Sequence, residues 1–159
     1  MSQAATPTVV PFDALLTLPG KVLGPSAWRE IGQDRIDTFA TAADDHQWIH
    51  VDPRRAASGP FGGTVAHGFL TLSLLIPLWT ELLDVPDVTT KLVYGLNRVR
   101  FPSPVRSGSS VRATATIADV HEVPGAGREI VADFVIETAG GTKPACVAQA
   151  VFRFYQEAR

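Results

Sequence analysis

Cysteine is almost missing from this chain of 159 residues, with Cys146 standing alone. No internal disulfide can form, and a single thiol fits a reducing compartment. Charge is sparse as well: only 19% of residues are Asp, Glu, Lys or Arg, so more of the surface than usual is expected to be covered by a partner subunit. No run of Lys or Arg occurs, and 14 basic against 16 acidic residues leave a net charge of −2. The electrostatic footprint of a nucleic-acid or anionic-membrane binder is therefore absent. The most apolar stretch, Gly68 to Leu83, is interrupted by Thr71, Ser73, Thr80 and Glu81, short of the roughly 18 apolar residues of a membrane span. The N-terminus, MSQAATPTVVPFDALL, has no basic region and too short an apolar run for a signal peptide. These absences predict a soluble, cytoplasmic single domain over residues 1–159, its first ten residues loose, acting as an enzyme or ligand binder.

What is present is enough apolar material for a sizeable core, 45% of the chain. Ser26 to Ile31 reads as a short strand. After Gly32, the spacing Ile36, Phe39, Ala40, Ala43 predicts a helix ending near Asp44-Asp45, whose carboxylates oppose the negative end of its dipole. Asp52-Pro53 reads as a helix start, with Asp as cap and Pro in the first position. The loop Ser58-Gly59-Pro60-Phe61-Gly62-Gly63 follows, and then His67 to Leu83, apolar on nearly all sides. A helix hydrophobic all round is a buried one. Pro77 within it cannot donate to the Ser73 carbonyl, so a kink or opening is expected there. Four alternating runs follow, Lys91 to Phe101, Ser109 to His121, Arg128 to Thr138 and Lys143 to Tyr155. Turns at 102–108, 124–127 and 139–142 separate them, and their shortness predicts an antiparallel meander. Helices first and strands later give an α+β class, one long helix lying against an antiparallel sheet. The exposed edges of so small a sheet favour a homodimer.

Acid–base side chains gather between 44 and 67: Asp44, Asp45, His46, His50, Asp52 and His67, including three of the four histidines. Positions five apart lie about 140° round a helix, so Asp45 and His50 cannot meet across one continuous helix. They can share a pocket if the helix ends at Asp45 and the chain turns. A carboxylate near an imidazole can hold and activate a water; equally, His50 is a partly buried loop histidine and Asp45 a turn residue. His46 and His50 have the spacing of an H-E-x-x-H zinc site, but Gln47 stands where the glutamate would be and no third ligand suggests itself. The signatures G-x-S-x-G, P-loop and G-x-G-x-x-G are absent. In Gly62-Gly63-Thr64-Val65-Ala66-His67-Gly68, a glycine opening a buried helix leaves an unshielded N–H for a carbonyl gaining negative charge. Close helix–sheet packing would call for the same glycine.

The string Asp45-His46-Gln47-Trp48-Ile49-His50-Val51-Asp52-Pro53, followed by Gly59-Pro60-Phe61-Gly62-Gly63-Thr64-Val65-Ala66-His67-Gly68-Phe69-Leu70, resembles the MaoC-like dehydratases. The nearest match is their NodN-like branch, which is similar to the R-specific enoyl-CoA hydratases. Val93-Tyr94-Gly95-Leu96-Asn97-Arg98-Val99-Arg100-Phe101 and the final strand extend the likeness over residues 26–155. The resemblance implies a hot-dog fold, a long helix wrapped by an antiparallel sheet and usually paired into a dimer. It implies Asp45 and His50 as the catalytic pair, holding a water that adds to C3 of a trans-2-enoyl thioester to give the R-3-hydroxyacyl thioester, or the reverse dehydration. The thioester-oxygen donor falls on the Gly68 amide. Trp48, Phe61, His67, Phe69 and Asn97 are expected to contact the substrate. The commonest family pattern has Asn and Pro where this chain has Gln47 and Trp48, though Gln-Trp is typical of the NodN-like branch. A serine that some R-hydratases use falls on Ile76, leaving Thr71 or Ser73 as the nearby hydroxyls.

Such a site needs no metal and no cofactor beyond the coenzyme A or acyl-carrier thioester that is part of the substrate. An acyl chain requires an apolar tunnel, for which Trp48, Phe61, Phe69, Leu72 and Ile76 are candidates, although residues of this kind are more often core. Arg98, Arg100 and Arg106 are candidates for the phosphates of coenzyme A. Two other readings remain at this stage: a hot-dog thioesterase, for which Glu81 is the one carboxylate on the long helix, and a non-catalytic subunit that binds acyl thioesters.

Overall fold

The computed structural model describes residues 6–156. In chain order it contains β1 (Thr8–Val9), a 3-10 turn (Phe12–Thr17), β2 (Val22–Leu23), β3 (Arg29–Ile31), α1 (Gln33–Ala43), α2 (Trp48–Val51) and α3 (Pro53–Ala57). Then come α4 (Gly68–Ser73), α5 (Leu75–Leu82), β4 (Leu83–Asp84) and the long strands β5 (Thr90–Arg100), β6 (Ser109–Val123), β7 (Gly127–Thr138) and β8 (Cys146–Tyr155). The main sheet runs β2-β6-β7-β8-β5, with β3 also pairing β6. The α+β arrangement expected from the sequence is present, with the apolar helical segment held in the concave face of an antiparallel sheet. Of the ten residues expected to be loose, 1–5 lie outside the described residues. Thr8–Val9 is instead paired in parallel with Leu83–Asp84.

The sheet's inner face follows the period-two pattern of the strands. Val111, Ala113, Ala115 and Ile117 of β6, Ile130, Ala132, Phe134 and Ile136 of β7, and Ala148, Ala150, Phe152 and Phe154 of β8 are all buried. Small residues alternate with large ones across the register: Phe134 pairs with Ala115 on one side and Ala148 on the other. The shallow alanine rows leave room for the bulky face of α5, so Leu75, Leu78, Trp79 and Leu82 are buried against the sheet. Cys146 opens β8 fully buried, and burial pushes its thiol up to about 11, which makes it an inert hydrophobe.

Two local expectations are corrected. The four long strands do not form one meander. β6, β7 and β8 pair consecutively, but β5 pairs with β8 rather than β6. Pro102 and Pro104 lack the N–H that a ladder needs, and the chain there leaves the sheet to run past residues 64–66, with Ala66 N–H donating to Val105 O at 2.7 Å. The buried helix is also interrupted earlier than at Pro77. α4 ends at Ser73 and α5 begins at Leu75, one turn upstream, at the carbonyl for which Pro77 has no donor. The Ser73 hydroxyl donates back to Leu70 O at 2.7 Å.

Trp79 anchors the helix–sheet contact. Its ring stacks on Phe152 at 4.9 Å and 7° and meets Phe134 edge-on at 5.4 Å, while its buried indole N–H has no partner among the described residues. Removing the ring forfeits the packing but also removes an unpaired donor, which offsets part of the loss. Trp79→Ala should therefore destabilise the chain by about 3 kcal/mol, the low end for such truncations. Trp79→Phe, which keeps a stacked ring, should cost under half of that. Chemical denaturation of the three proteins measures both, and equal losses would show that the aromatic stack contributes nothing.

Candidate active site

The site is assembled where α1 stops. Asp44 takes the left-handed conformation at φ 53°, which short polar side chains tolerate. The N–H of Asp45 turns back to Ala40 O at 3.0 Å, and the Asp45 side chain is left 53% exposed at the lip of the site. Gln47 is extended (φ −57°, ψ 136°), so α2 is a fresh turn of helix and not a continuation of α1. That break brings Asp45 and His50 to one place, and it also ends the helical relation of His46 to His50. His46 is exposed and lies outside the cluster. Downstream, the Asp52 carboxylate caps α3 as expected, accepting from Arg55 N–H at 3.0 Å with Pro53 in the first turn.

His50 is buried and held at both ends. Its Nδ1–H donates to the Val65 carbonyl at 2.6 Å, which leaves Nε2 as the bare, accepting nitrogen. The Gln33 amide, in the first turn of α1, donates to His50 O at 2.7 Å and accepts from the Thr64 hydroxyl at 2.5 Å. Burial pulls His50 below the ordinary imidazole value of 6.5, assisted by His67 and opposed by the Val65 carbonyl and Asp45. A neutral ring with one bare nitrogen, close to a carboxylate, suits the handling of a water proton.

His67 completes the cluster. Its ring stacks on His50 with centroids 3.7 Å apart and 23° between planes. Its Nε2–H donates to the Asp45 carbonyl at 3.0 Å, and the same nitrogen is 4.0 Å from Asp45 Oδ2. One ligand-type atom from each of Asp45, His50 and His67 lies within 4.8 Å of the others. Proximity of this kind can suit a divalent cation, but stacked rings send their lone pairs along near-parallel rather than converging directions. The His67 nitrogen facing Asp45 is moreover committed to a carbonyl.

Gly68 opens α4 directly after His67, and its N–H is among the unpaired donors of a helix start. It lies in a cleft of about 360 Å³ lined by His50, Phe61, Val65, Thr71, Phe101 and Val105, among others. Thr71 is buried there, its hydroxyl 3.4 Å from His67 O, whereas the Ser73 hydroxyl is used within the helix. Of the residues read from the sequence, Asp45, His50 and His67 form one cluster, and His50, Phe61 and Gly68 share one cleft.

Three others are not brought in. Trp48 packs under the Arg55 guanidinium, 4.4 Å from its ring centroid, and against Gly59, because α2 turns it away from His50. Phe69 is 72% exposed on the far side of α4. Asn97 sits at a bulge of β5 and donates to Gln149 on the sheet's outer face, opposite the helices. Arg98 pairs there with Asp133, while Arg106 lies against the glycine loop at Gly62, beside the cleft. Glu81 is committed to Arg29 and the Ala27 N–H and is not a free carboxylate. Gln33 and the Val65 carbonyl had no sequence signal, since one is a plain helix-start residue and the other a main-chain group. Phe101 could have been noticed as the apolar residue between the end of β5 and Pro102.

Comparison with known proteins identifies the family and the fold. The family model described as MaoC like domain matches residues 15–139. The 3-hydroxyacyl-thioester dehydratase Z of Mycobacterium tuberculosis is 46% identical over 140 residues, 88% of this chain and 93% of that protein. Nodulation protein N of Rhizobium leguminosarum is 51% identical over 102 residues, 63% of each chain. Among solved structures, the (R)-hydratase from A. caviae superposes with a TM-score of 0.69 at 24% identity, covering 84% of this chain and 94% of that one. With its hot-dog architecture and a matching model over most of its length, this chain belongs to the MaoC-like dehydratase family.

Proposed function

We propose that this chain catalyses the reversible addition of water to a trans-2-enoyl thioester, forming the R-3-hydroxyacyl thioester. The observation that carries the reading is the convergence of Asp45 and His50 beside a cleft that Gly68, the first residue of α4, lines together with His50. The activity printed for the Mycobacterium tuberculosis relative supports the same class, a carbon–oxygen lyase. Water sits between the Asp45 carboxylate and His50 Nε2. Asp45 takes one proton as the water oxygen bonds to C3, and the thioester oxygen, accepting from Gly68 N–H, takes up the charge of the enolate. The proton held by the pair then passes to C2, so one water is consumed and nothing is left over. Dehydration is the same path reversed. An N–H aimed at a developing oxyanion contributes where charge appears and little before. Arg106, at the rim, is the cation best placed for the phosphates of coenzyme A.

We also propose a homodimer paired through β5. This edge strand has eleven residues, and its apolar side chains stand open, with Val93 52% and Tyr94 60% exposed and Leu92 and Leu96 also exposed. Ile76 of α5, also exposed, lies beside Val93 and Leu96 and continues the same apolar set. An unprotected edge of this kind is stabilised by pairing. Light scattering should give about 34 kDa, twice the 17.0 kDa of one chain. Leu92→Lys, which puts a charge on the edge, should shift the mass toward 17.0 kDa; a monomeric wild type removes the support for a paired edge.

The reaction itself is tested by loss of the enoyl-thioester absorbance with crotonyl-, octenoyl- and dodecenoyl-CoA. Asp45→Asn keeps the shape and removes the base, and His50→Ala removes its partner. Each should lower kcat at least about a hundredfold, the low end for a positioned acid–base group, with the fold intact by circular dichroism. Retention of a tenth of wild-type kcat in either variant rejects the pair. A folded wild type that binds these thioesters without hydrating them favours the binding-subunit reading.

The pH dependence follows from His50. Burial disfavours its charged form, so Nε2 stays unprotonated to a pH below the ordinary 6.5. The acid limb of kcat/KM should accordingly have its midpoint below 6.5, with full activity retained at pH 7. A midpoint above 6.5 would mean that the working imidazole is not the buried, neutral one.

A further inference from the structure

His67 is expected from the sequence to contact the substrate, yet its surroundings leave a substrate nothing to touch. The residue is 3% exposed. One face of its ring is covered by His50 at 3.7 Å, and Phe39 approaches at 5.0 Å and 50°. Nε2–H is used by the Asp45 carbonyl, twenty-two residues away in sequence, and Nδ1 is buried with no partner among the described residues. With its hydrogen on Nε2, the ring leaves Nδ1 as a bare acceptor. If this position required only a flat ring, phenylalanine would supply it without the orphaned nitrogen. What histidine adds is the Nε2–H.

We propose that His67 is a positioning residue for the catalytic pair. Its edge anchors the main chain of Asp45, and its face braces the imidazole of His50. The inference rests on the hydration reading given above, in which those two side chains share one water. Asp45 needs such an anchor. Its carboxylate is half exposed, and the hydrogen bond that this carboxylate accepts, from Gln47 N–H, is long at 3.4 Å. Fixing the peptide through its carbonyl constrains the side chain while leaving both carboxylate oxygens available to water. The titratable groups facing His50 are Asp45, from the end of α1, and His67, from the start of α4. The ring of His67 is also part of what keeps solvent from His50.

Two variants separate the contributions. His67→Phe keeps a stacked ring and removes the anchor; His67→Gln keeps an N–H of similar reach and removes the ring. The phenylalanine variant should fold with a Tm at or above that of wild type, yet lose about tenfold or more in kcat with KM within about twofold. The glutamine variant should recover part of that kcat, and its acid limb of kcat/KM should move up toward 6.5 as water reaches His50. The same upward shift should appear in the His50 imidazole titration followed by NMR, which needs no turnover. A raised KM with unchanged kcat would make His67 a substrate contact, and unchanged kcat in His67→Phe would make it packing only. Either result overturns the proposal. If wild type hydrates no enoyl thioester, the reaction assignment fails on its own; an unaltered His50 titration in His67→Gln then overturns the positioning role as well.

Discussion

The site depends on a constraint of burial. Thr64, Val65, Ala66 and His67 are four consecutive buried residues that belong to no strand of the main sheet. Buried main-chain polar groups must find partners, and here those partners come from everything that builds the site. Val65 N–H donates to Ile49 O, Ala66 N–H to Val105 O, and Thr64 O accepts from Ser107 N–H. The Val65 carbonyl takes the His50 ring N–H, and the His67 carbonyl takes the first N–H bonded within α4. One extended segment thus sets the tautomer of an imidazole, the start of a helix and the path by which β5 leaves the sheet. An unmet hydrogen bond at any of these points would cost about 1–3 kcal/mol, so the segment can neither slip nor rotate.

That rigidity divides the two members of the pair. His50 is buried, neutral and tied down at its ring and its main chain, whereas Asp45 keeps half of its side chain in water. A fully buried carboxylate would drift toward its neutral acid and lose its use as a base. A fully exposed imidazole would be partly protonated near neutrality and lose its lone pair. The boundary between core and solvent passes between them, and the stacked His67 ring lies on that boundary.

Much of this was legible in the sequence because it follows from local rules. The alternation in β6, β7 and β8, the end of α1 before Asp45 and the Asp52-Pro53 helix start each depend on a few adjacent residues. What was not legible depends on contacts far apart in the chain. The pairing of β5 with β8 instead of β6 is set by where residues 102–108 are anchored, and those anchors are main-chain groups near Val65. Asn97 looked like a site residue in a motif but lies on the outer face, since bulges in β5 shift which side chains point inward. Trp48 and Phe69 lie next in sequence to, or close by, residues of the site, yet one turn of helix carries each away. His67 was recognised as part of the motif, but its stacking on His50 joins two elements and has no spacing signature.

Gly68 shows why residue identity alone does not settle a role. A Cβ there would come within 3.1 Å of the Phe101 ring, so packing by itself calls for glycine. Its need for glycine is therefore no evidence for polarising a carbonyl; the observation that bears on that proposal is that Gly68 lines the cleft together with His50. The two roles are physically linked through Phe101, which follows directly on β5. The strand whose open edge invites a second copy also places the ring that closes over the donor. Any movement of that edge reaches the cleft within one residue, and pairing β5 would hold the ring and the strand together. Under the proposed pairing, assembly and the cleft share a single strand, and the glycine is the space that lets the Phe101 ring approach α4.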